Sequence, residues 1–356
     1  MSQTWLEKRI KDLSLAGGYK KPELIQDSLK LDSNENYVIP KQFQQDILST
    51  ARKNSDVREY PLGRVEKLIQ SISNFIGLPS NMIGVGNGSD QILDLILSNF
   101  ASKKTKILTS KPTFGFFEER CKLYSIPVMT IPFSQTMDLD VDDFLQQSKS
   151  ADILYLDSPN NPTGFQFPKD DLTKLVRSFD GLVIIDEAYG EFGEYSLSNM
   201  TKSQDNLVVV QTLSKSFGLA GLRLGYFIAS KKFTSVFNQV LQYPYPLSSV
   251  TIESGILALE KSEQVRDAVN TIKKERTRII ENLKKYDSFE VFDSKANFVL
   301  FDAKGYYHRV YSALLEQGIS IRKLGKIGDH EGCLRVTVGT KEMNSKFLLA
   351  IRDLLG

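Results

Sequence analysis

Seven short apolar runs, separated by stretches with helical spacing, limit the possible folds of this chain more than any other feature. Ile83 to Val85, Lys106 to Leu108, Val128 to Ile131, Ile153 to Leu156, Leu182 to Ile185, Leu207 to Gln211 and Tyr226 to Ala229 each read as a buried strand. Gln91 to Phe100 and Phe116 to Tyr124 lie between them with helical periodicity. Strands that are apolar along their whole length are buried on both faces, and their alternation with helices gives an α/β architecture. The expected core is a large, mainly parallel mixed sheet flanked by helices. After about Tyr243 the pattern changes. Ile252 to Leu283 reads as one long helical stretch rich in Glu, Lys and Arg. Asn297 to Phe301, a helix near Tyr307 to Glu316, Ile319 to Ile321, Leu334 to Val338 and a helix from Lys341 then form a smaller α+β unit. No Gly/Ser-rich linker, repeat or low-complexity segment separates the parts. The expected division is an N-terminal arm over 1–35 packing with the small unit, a large unit over 36–243, and a linker helix with the small unit over 244–356.

Composition removes several function classes. At 356 residues the chain exceeds one small core, and 45 Lys plus Arg against 43 Asp plus Glu leave a net charge of +2. That balance offers no electrostatic reason to bind nucleic acid or an acidic membrane, whereas small anions remain suitable ligands. Two cysteines far apart, Cys121 and Cys333, supply neither a disulfide framework nor a cysteine-based zinc site, and point to a reducing, cytoplasmic setting. With only His308 and His330, a histidine metal site or a Ser-His-Asp triad has almost no material, and no metal is expected. Met1 to Lys11 mixes Trp5, Leu6 and Ile10 with charged residues, so it reads as an amphipathic arm rather than a signal peptide or membrane span.

In an open α/β sheet ligands gather at the carboxyl ends of the strands. The residues that follow each apolar run are therefore the candidate site. Thr212 to Arg223 (TLSKSFGLAGLR) sets one lysine among small hydroxyl and glycine residues, with apolar segments before and after. On a loop at a buried site, desolvation and a neighbouring cation lower an amine's pKa and make Lys215 nucleophilic. Gly86-Asn87-Gly88-Ser89-Asp90 opens a helix and suits a phosphate, although a tight turn capped by Ser89 or Asp90 explains it equally well. Ser158 to Gly164 (SPNNPTG) directs two amides, either at a planar ligand or within a proline-rich turn. Asp186-Glu187-Ala188-Tyr189 ends an apolar run with an acid that needs compensation. A cationic ring nitrogen would supply it, as would a metal or a helix cap. No Gly-x-x-x-x-Gly-Lys-Ser/Thr loop precedes it, which disfavours a nucleotide. Thr212, Ser214 and Arg223 are competent phosphate ligands. An imine-forming lysine, a phosphate cradle, a carboxylate for a pyridinium, and a tyrosine plus an amide for a phenolic oxygen are the needs of pyridoxal phosphate.

Through LDSNEN (31–36), Tyr60-Pro61, SPNNPTG (158–164), DEAYGEF (186–192), residues 212–223, YPLS (245–248), ANF (296–298) and LRVTVGT (334–340), the chain resembles the fold-type-I aminotransferases. Among these it is most similar to the histidinol-phosphate aminotransferase family. The resemblance implies a fold-type-I pyridoxal 5′-phosphate-dependent transferase in which Lys215 forms the imine and moves the substrate proton. Asp186 would keep the pyridine nitrogen protonated, and Asn161 and Tyr189 would bind the ring oxygen. Ser89 and Asp90 backbone N–H groups, with Thr212, Ser214 and Arg223, would hold the phosphate. Tyr60 would reach that phosphate from the partner subunit of a homodimer. Phe114 falls where the family commonly stacks a tyrosine; it keeps the ring contact and lacks the hydroxyl. Gln91 replaces a frequent glutamate, with little consequence expected.

Substrate recognition falls to Arg322 and Arg335, since an arginine within an apolar strand needs an anion: leaving it buried and unpaired costs on the order of 3 to 5 kcal/mol. A salt bridge to a nearby acid is the alternative for each. The resemblance adds Tyr19, in the motif GGYKKP (17–22), with Asn161 and Tyr245, to the expected pocket, and the YPLS string favours Tyr245 over Tyr243. The implied reaction is amino transfer between L-histidinol phosphate and 2-oxoglutarate in histidine biosynthesis. An aromatic or broad-range aminotransferase and a threonine-phosphate decarboxylase share the fold and stand as alternatives. A cofactor-sensing transcription regulator would need a DNA-binding segment, and nothing before Leu31 is long or basic enough to supply one.

Overall fold

The structure is a computed structural model and describes residues 4–19 and 25–355. Its strands are β1 (Leu29–Leu31), β2 (Ile83–Asn87), β3 (Ile107–Lys111), β4 (Val128–Pro132), β5 (Ile153–Asp157), β6 (Leu182–Asp186), β7 (Leu207–Thr212), β8 (Leu224–Ile228), β9 (Glu290–Val291), β10 (Phe298–Asp302), β11 (Ile319–Ile327) and β12 (His330–Thr337). Seven of them form one sheet in the order β2-β8-β7-β6-β5-β3-β4. β3, β4, β5, β6 and β7 run parallel, and β8 is antiparallel to both of its neighbours. All seven apolar runs lie in this sheet, within one to two residues of their expected starts.

Apolar residues on successive positions of β6 and β7 point to opposite faces, and both faces are covered. Val183, Ile185 and Val209 join one buried cluster, and Ile184, Val208 and Val210 join the other. This two-sided burial is why the strands carry no polar alternation. The helix Gly88–Phe100 starts earlier than its apolar periodicity shows. Asn87 is its N-cap rather than Ser89 or Asp90, and Gln91 Oε1 accepts the Asn87 N–H at 2.7 Å. The stretch 252–283 is also not one helix. It divides into Ser249–Glu260 and Ser262–Leu283 at Lys261, whose φ of −96° and ψ of 23° leave the helical region. The first of the two packs on the helices Lys41–Asn54 and Arg64–Ile76, and it comes close to β8 at Gly255, where a Cβ would meet Leu224 Cδ2 at 2.5 Å.

The second sheet has the order β1-β11-β12-β10-β9. β1 joins it in parallel through Leu29 opposite Ile319 and Leu31 opposite Ile321. The helix Trp5–Leu15 is closed by a capping box between Thr4 and Glu7 and buries none of its residues. Residues 1–3, including the Met1 end of the arm, lie outside the described residues. Among the described residues no helix is long and apolar enough to cross a membrane, and no three His, Cys, Asp or Glu side chains group to hold a metal ion.

Candidate active site

A cavity of about 510 Å³ opens at the carboxyl ends of β2, β3, β5, β6 and β7, where the strand order reverses beside β3, and β11 and β12 close its other side. Tyr19, Ser89, Asp90, Phe114, Asn161, Asp186, Tyr189, Thr212, Ser214, Lys215, Arg223, Arg322 and Arg335 all line it. Residues from five strand ends and from the second sheet thus meet in one place.

Asp186 ends β6 and is almost fully buried. It accepts from Tyr155 Oη at 3.0 Å and from the Ala188 N–H at 3.0 Å, both neutral donors. Burial, and then the charge of Asp157, push its carboxyl up to about 7. Among the described residues no cation pairs with Asp186, and a nearly buried carboxylate of that kind fits a protonated ring nitrogen.

Lys215 follows β7 on the loop that the sequence marked as unusual. Its Nζ donates to the Ser33 carbonyl at 3.2 Å and lies 5.6 Å from the centre of the Tyr189 ring. Burial, and then the Arg335 guanidinium, bring its ammonium down to about 8. Near neutral pH a useful fraction is therefore the free amine, the form that attacks a carbonyl.

At the cavity's other end, the start of the helix Gly88–Phe100 faces Thr212, Ser214 and Arg223. Thr212 Oγ1 donates to Leu224 O at 3.1 Å, accepts from the Ser214 N–H at 3.1 Å and lies 2.9 Å from Ser214 Oγ. Arg223 adopts a left-handed φ of 54° and pairs through Nη2 with Asp90 Oδ2 at 2.9 Å. Backbone and guanidinium approach so closely that a Cβ on Gly88 would lie 2.5 Å from Arg223 Nη2, and one on Gly225 would lie 2.3 Å from the Ser89 N. No side chain of Asn87 caps the helix, so its first N–H groups, two hydroxyls and an arginine form a cradle of phosphate-binding type.

The two asparagines of SPNNPTG have different environments. Asn160 is fully buried and binds Asp157, Thr163 and Pro112 O, holding the loop together. Asn161 faces the cavity, where its Oδ1 accepts from Arg335 Nη1 at 2.5 Å. Arg335 also donates to Asp32 O at 3.0 Å and lies over the Phe298 ring, while its buried Nε has no acceptor among the described residues. Arg322 stands directly opposite Arg335 in the β11–β12 pairing. Tyr189 Oη accepts from Asn34 Nδ2 at 2.9 Å, which leaves its own hydrogen available to a ligand oxygen. Tyr19 meets the edge of Phe114 at 6.3 Å, and Lys20 to Pro22 of its motif lie outside the described residues.

Tyr60 and Tyr245 lie outside this cavity, 70% and 43% exposed, with rings stacked at 4.3 Å. Conversely, Asp32, Ser33, Asn34, Thr113 and Asp157 line the cavity although sequence reasoning gave them no role. Asp157 was within reach of that reasoning: like Asp186, it is an acid at the end of an apolar strand.

The family described as aminotransferase class I and II matches residues 26–351. The chain belongs to that family. Among similar proteins, the histidinol-phosphate aminotransferase of Pyrococcus furiosus is 36% identical over 326 residues, covering 91% of this chain and 92% of that protein. The crystal structure of the histidinol-phosphate aminotransferase from Clostridium acetobutylicum superposes with a TM-score of 0.83 at 26% identity, covering 91% of this chain and 98% of the other. The Sinorhizobium meliloti histidinol-phosphate aminotransferase, in complex with pyridoxal-5′-phosphate, shares the fold with a TM-score of 0.83 at 21% identity, covering 91% and 90%. An aminotransferase of this class has a ready explanation for the phosphate cradle, the buried carboxylate and the enclosed lysine lying around one cavity.

Proposed function

We propose that this aminotransferase exchanges an amino group between L-histidinol phosphate and 2-oxoglutarate, giving imidazole acetol phosphate and L-glutamate in histidine biosynthesis. The observation that carries this reading is the placement of Lys215, Asp186 and the phosphate cradle around one cavity whose far wall holds Arg322 and Arg335. Its cofactor is pyridoxal 5′-phosphate, which when bound supplies an electron-withdrawing ring that takes up charge from the substrate's α-carbon.

The chain's own residues do the rest. Lys215 holds the cofactor and moves the proton at the α-carbon. Its lowered pKa suits both tasks, because a general base works best near the ambient pH. Asp186 keeps the ring nitrogen protonated, with Tyr155 and the Ala188 N–H fixing its orientation. Ser89, Asp90, Thr212, Ser214 and Arg223 hold the phosphate, Asn161 and Tyr189 hold the ring oxygen, and Phe114 stacks on the ring. Arg335 and Arg322 receive the anionic end of either substrate, aided by Tyr19. Both substrates carry an anion, so one pair of arginines serves two differently shaped molecules.

A homodimer completes each site, with Tyr60 reaching the partner's phosphate cradle and Tyr245 contributing to pocket lining. The exposure of both tyrosines supports such a shared surface. A cytoplasmic location fits Cys121 and Cys333, both free and buried thiols. The division into an arm over 1–35, a large unit over 36–243 and a small unit over 244–356 belongs to the same reading, and β1 supports the arm's tie to the small sheet.

The test is to add L-histidinol phosphate to the cofactor-loaded protein without 2-oxoglutarate and follow the cofactor's absorbance. Conversion to the amino form of the cofactor is expected. Absent conversion, with rapid conversion by phenylalanine, would replace this substrate with aromatic amino acids, and release of CO2 would mark a decarboxylase.

A further inference from the structure

Asp157 occupies an unusual position for a carboxylate. It ends β5 and pairs in register with Asp186 at the end of β6, so two nearly buried acids lie side by side on neighbouring strands, about 4.8 Å apart by backbone spacing. Each lines the cavity. Asp157 Oδ1 accepts from Thr113 Oγ1 at 2.9 Å and from Asn160 Nδ2 at 2.8 Å, and Oδ2 accepts the Asn161 N–H at 2.8 Å. All three donors are neutral, so none cancels its charge. The charges that weigh most on Asp186 are those of Asp157 and Asp90, both acids, and Tyr155 donates to its carboxylate.

Two consequences follow from this geometry. The first is mechanical: Asp157 ties the β3 loop, through Thr113 next to Phe114, to the β5 loop at Asn160 and Asn161. Asn161 in turn accepts from Arg335, so a connected path runs from the floor of the cavity to the arginine wall. The second is electrostatic. A neutral amide could accept some of these hydrogen bonds, but burying a second carboxylate beside Asp186 is costly unless a cation arrives between them.

We propose that Asp157 is a positioning residue for the cofactor, a second carboxylate that with Asp186 favours a protonated ring nitrogen and sets the place of Asn161. This assignment rests on the reading of the cavity as a pyridoxal phosphate site.

The experiment compares binding of pyridoxal phosphate and of its analogue with carbon in place of the ring nitrogen, by equilibrium dialysis, to the wild-type protein and to Asp157→Asn. The variant is expected to lose about tenfold in affinity for pyridoxal phosphate and less than about threefold for the carbon-ring analogue. Equal losses for both ligands would reduce Asp157 to a structural role and overturn the proposal, as would no loss at all. Asp157→Ser, which also removes the charge, carries the same comparison should Asp157→Asn fail to fold. Thr113→Val is the control, because it removes one donor and leaves the charge. It should keep the wild-type preference for the nitrogen ring, and loss of that preference would count against the electrostatic role. If the wild-type protein binds neither ligand, the cofactor reading itself fails and takes this assignment with it. If the wild-type protein binds and Asp157→Asn matches it, only the assignment of Asp157 fails.

Discussion

Arg322 and Arg335 lie directly opposite each other in the antiparallel pairing of β11 and β12, two like charges on one stretch of cavity wall. Like charges in that position destabilise a sheet. Arg322 adds to the burial that holds the Arg335 guanidinium below its ordinary pKa. An anion received there relieves the repulsion. Replacing Arg335 with Leu should lower kcat/KM for both L-histidinol phosphate and glutamate by a factor of roughly 10² to 10³, because a buried guanidinium that pairs with an anion is lost. Arg322→Leu should lower both as well, by a smaller factor, because Arg322 is less buried than Arg335. Steady-state kinetics with each substrate check this, and unchanged kinetics for Arg335→Leu would remove it from the pocket.

Lys215 offers a pH test that needs no substrate. With its ammonium brought down to about 8, the cofactor-free protein should capture pyridoxal phosphate faster as pH rises, with a midpoint near that value. Arg335 is the second cause of the lowering, after burial. Arg335→Leu should therefore move the midpoint upward, towards that of an ordinary lysine. Stopped-flow absorbance measures the rate, and a midpoint unmoved by Arg335→Leu would show that burial alone sets it.

The parts of this site that follow a strand were legible in the sequence, because apolar runs locate strand ends and polar residues directly after them stand out. Asp186, Tyr189, Asn161, Thr212 and Lys215 were found this way. Arg335 was legible for a related reason, as a charge within an apolar strand. Ser33 and Asn34 were not, because they follow a strand of only three residues, too short to register as a periodic signal. Their contacts with Lys215, Tyr189 and Thr337 span 155 to 303 positions, and no local pattern encodes such a meeting. The helix break at Lys261 escaped for the opposite reason: helical periodicity continues across it, so no local signal marks the turn.

Buried acids give the cofactor-free protein a characteristic stability profile. Asp157 is raised to about 6, and Asp186 and Glu191 to about 7, each chiefly by burial. A carboxyl whose folded pKa exceeds its unfolded value stabilises the fold below the unfolded pKa, and that contribution is lost as pH rises through the folded pKa. The thermal midpoint of the cofactor-free protein should therefore fall between about pH 4 and pH 7. Lys215 acts outside this window: its depressed pKa makes its share of stability rise above pH 8. Bound pyridoxal phosphate should flatten the acid limb by supplying a cation to Asp186. Scanning calorimetry with and without cofactor checks the pair of curves, and a cofactor-free midpoint that climbs from pH 4 to 7 would refute the account.

Tyr60 decides whether each site is shared between two chains. In one chain its ring stacks on Tyr245 at 4.3 Å, outside the cavity and largely exposed, so the proposed contact with the phosphate is one made across a dimer. Tyr60→Phe should weaken cofactor retention by about tenfold, the loss expected for one hydrogen bond to a charged group. Lys215→Ala should abolish turnover while the cofactor still binds without a covalent link. When these two inactive or weakened variants are mixed and allowed to exchange subunits, each mixed dimer gains one site with an intact lysine from one chain and an intact tyrosine from the other. Random pairing then restores on the order of one quarter of wild-type activity with cofactor at limiting concentration. If Tyr60 served the site of its own chain, every site in the mixture would lack either the lysine or the tyrosine, and mixing would restore nothing.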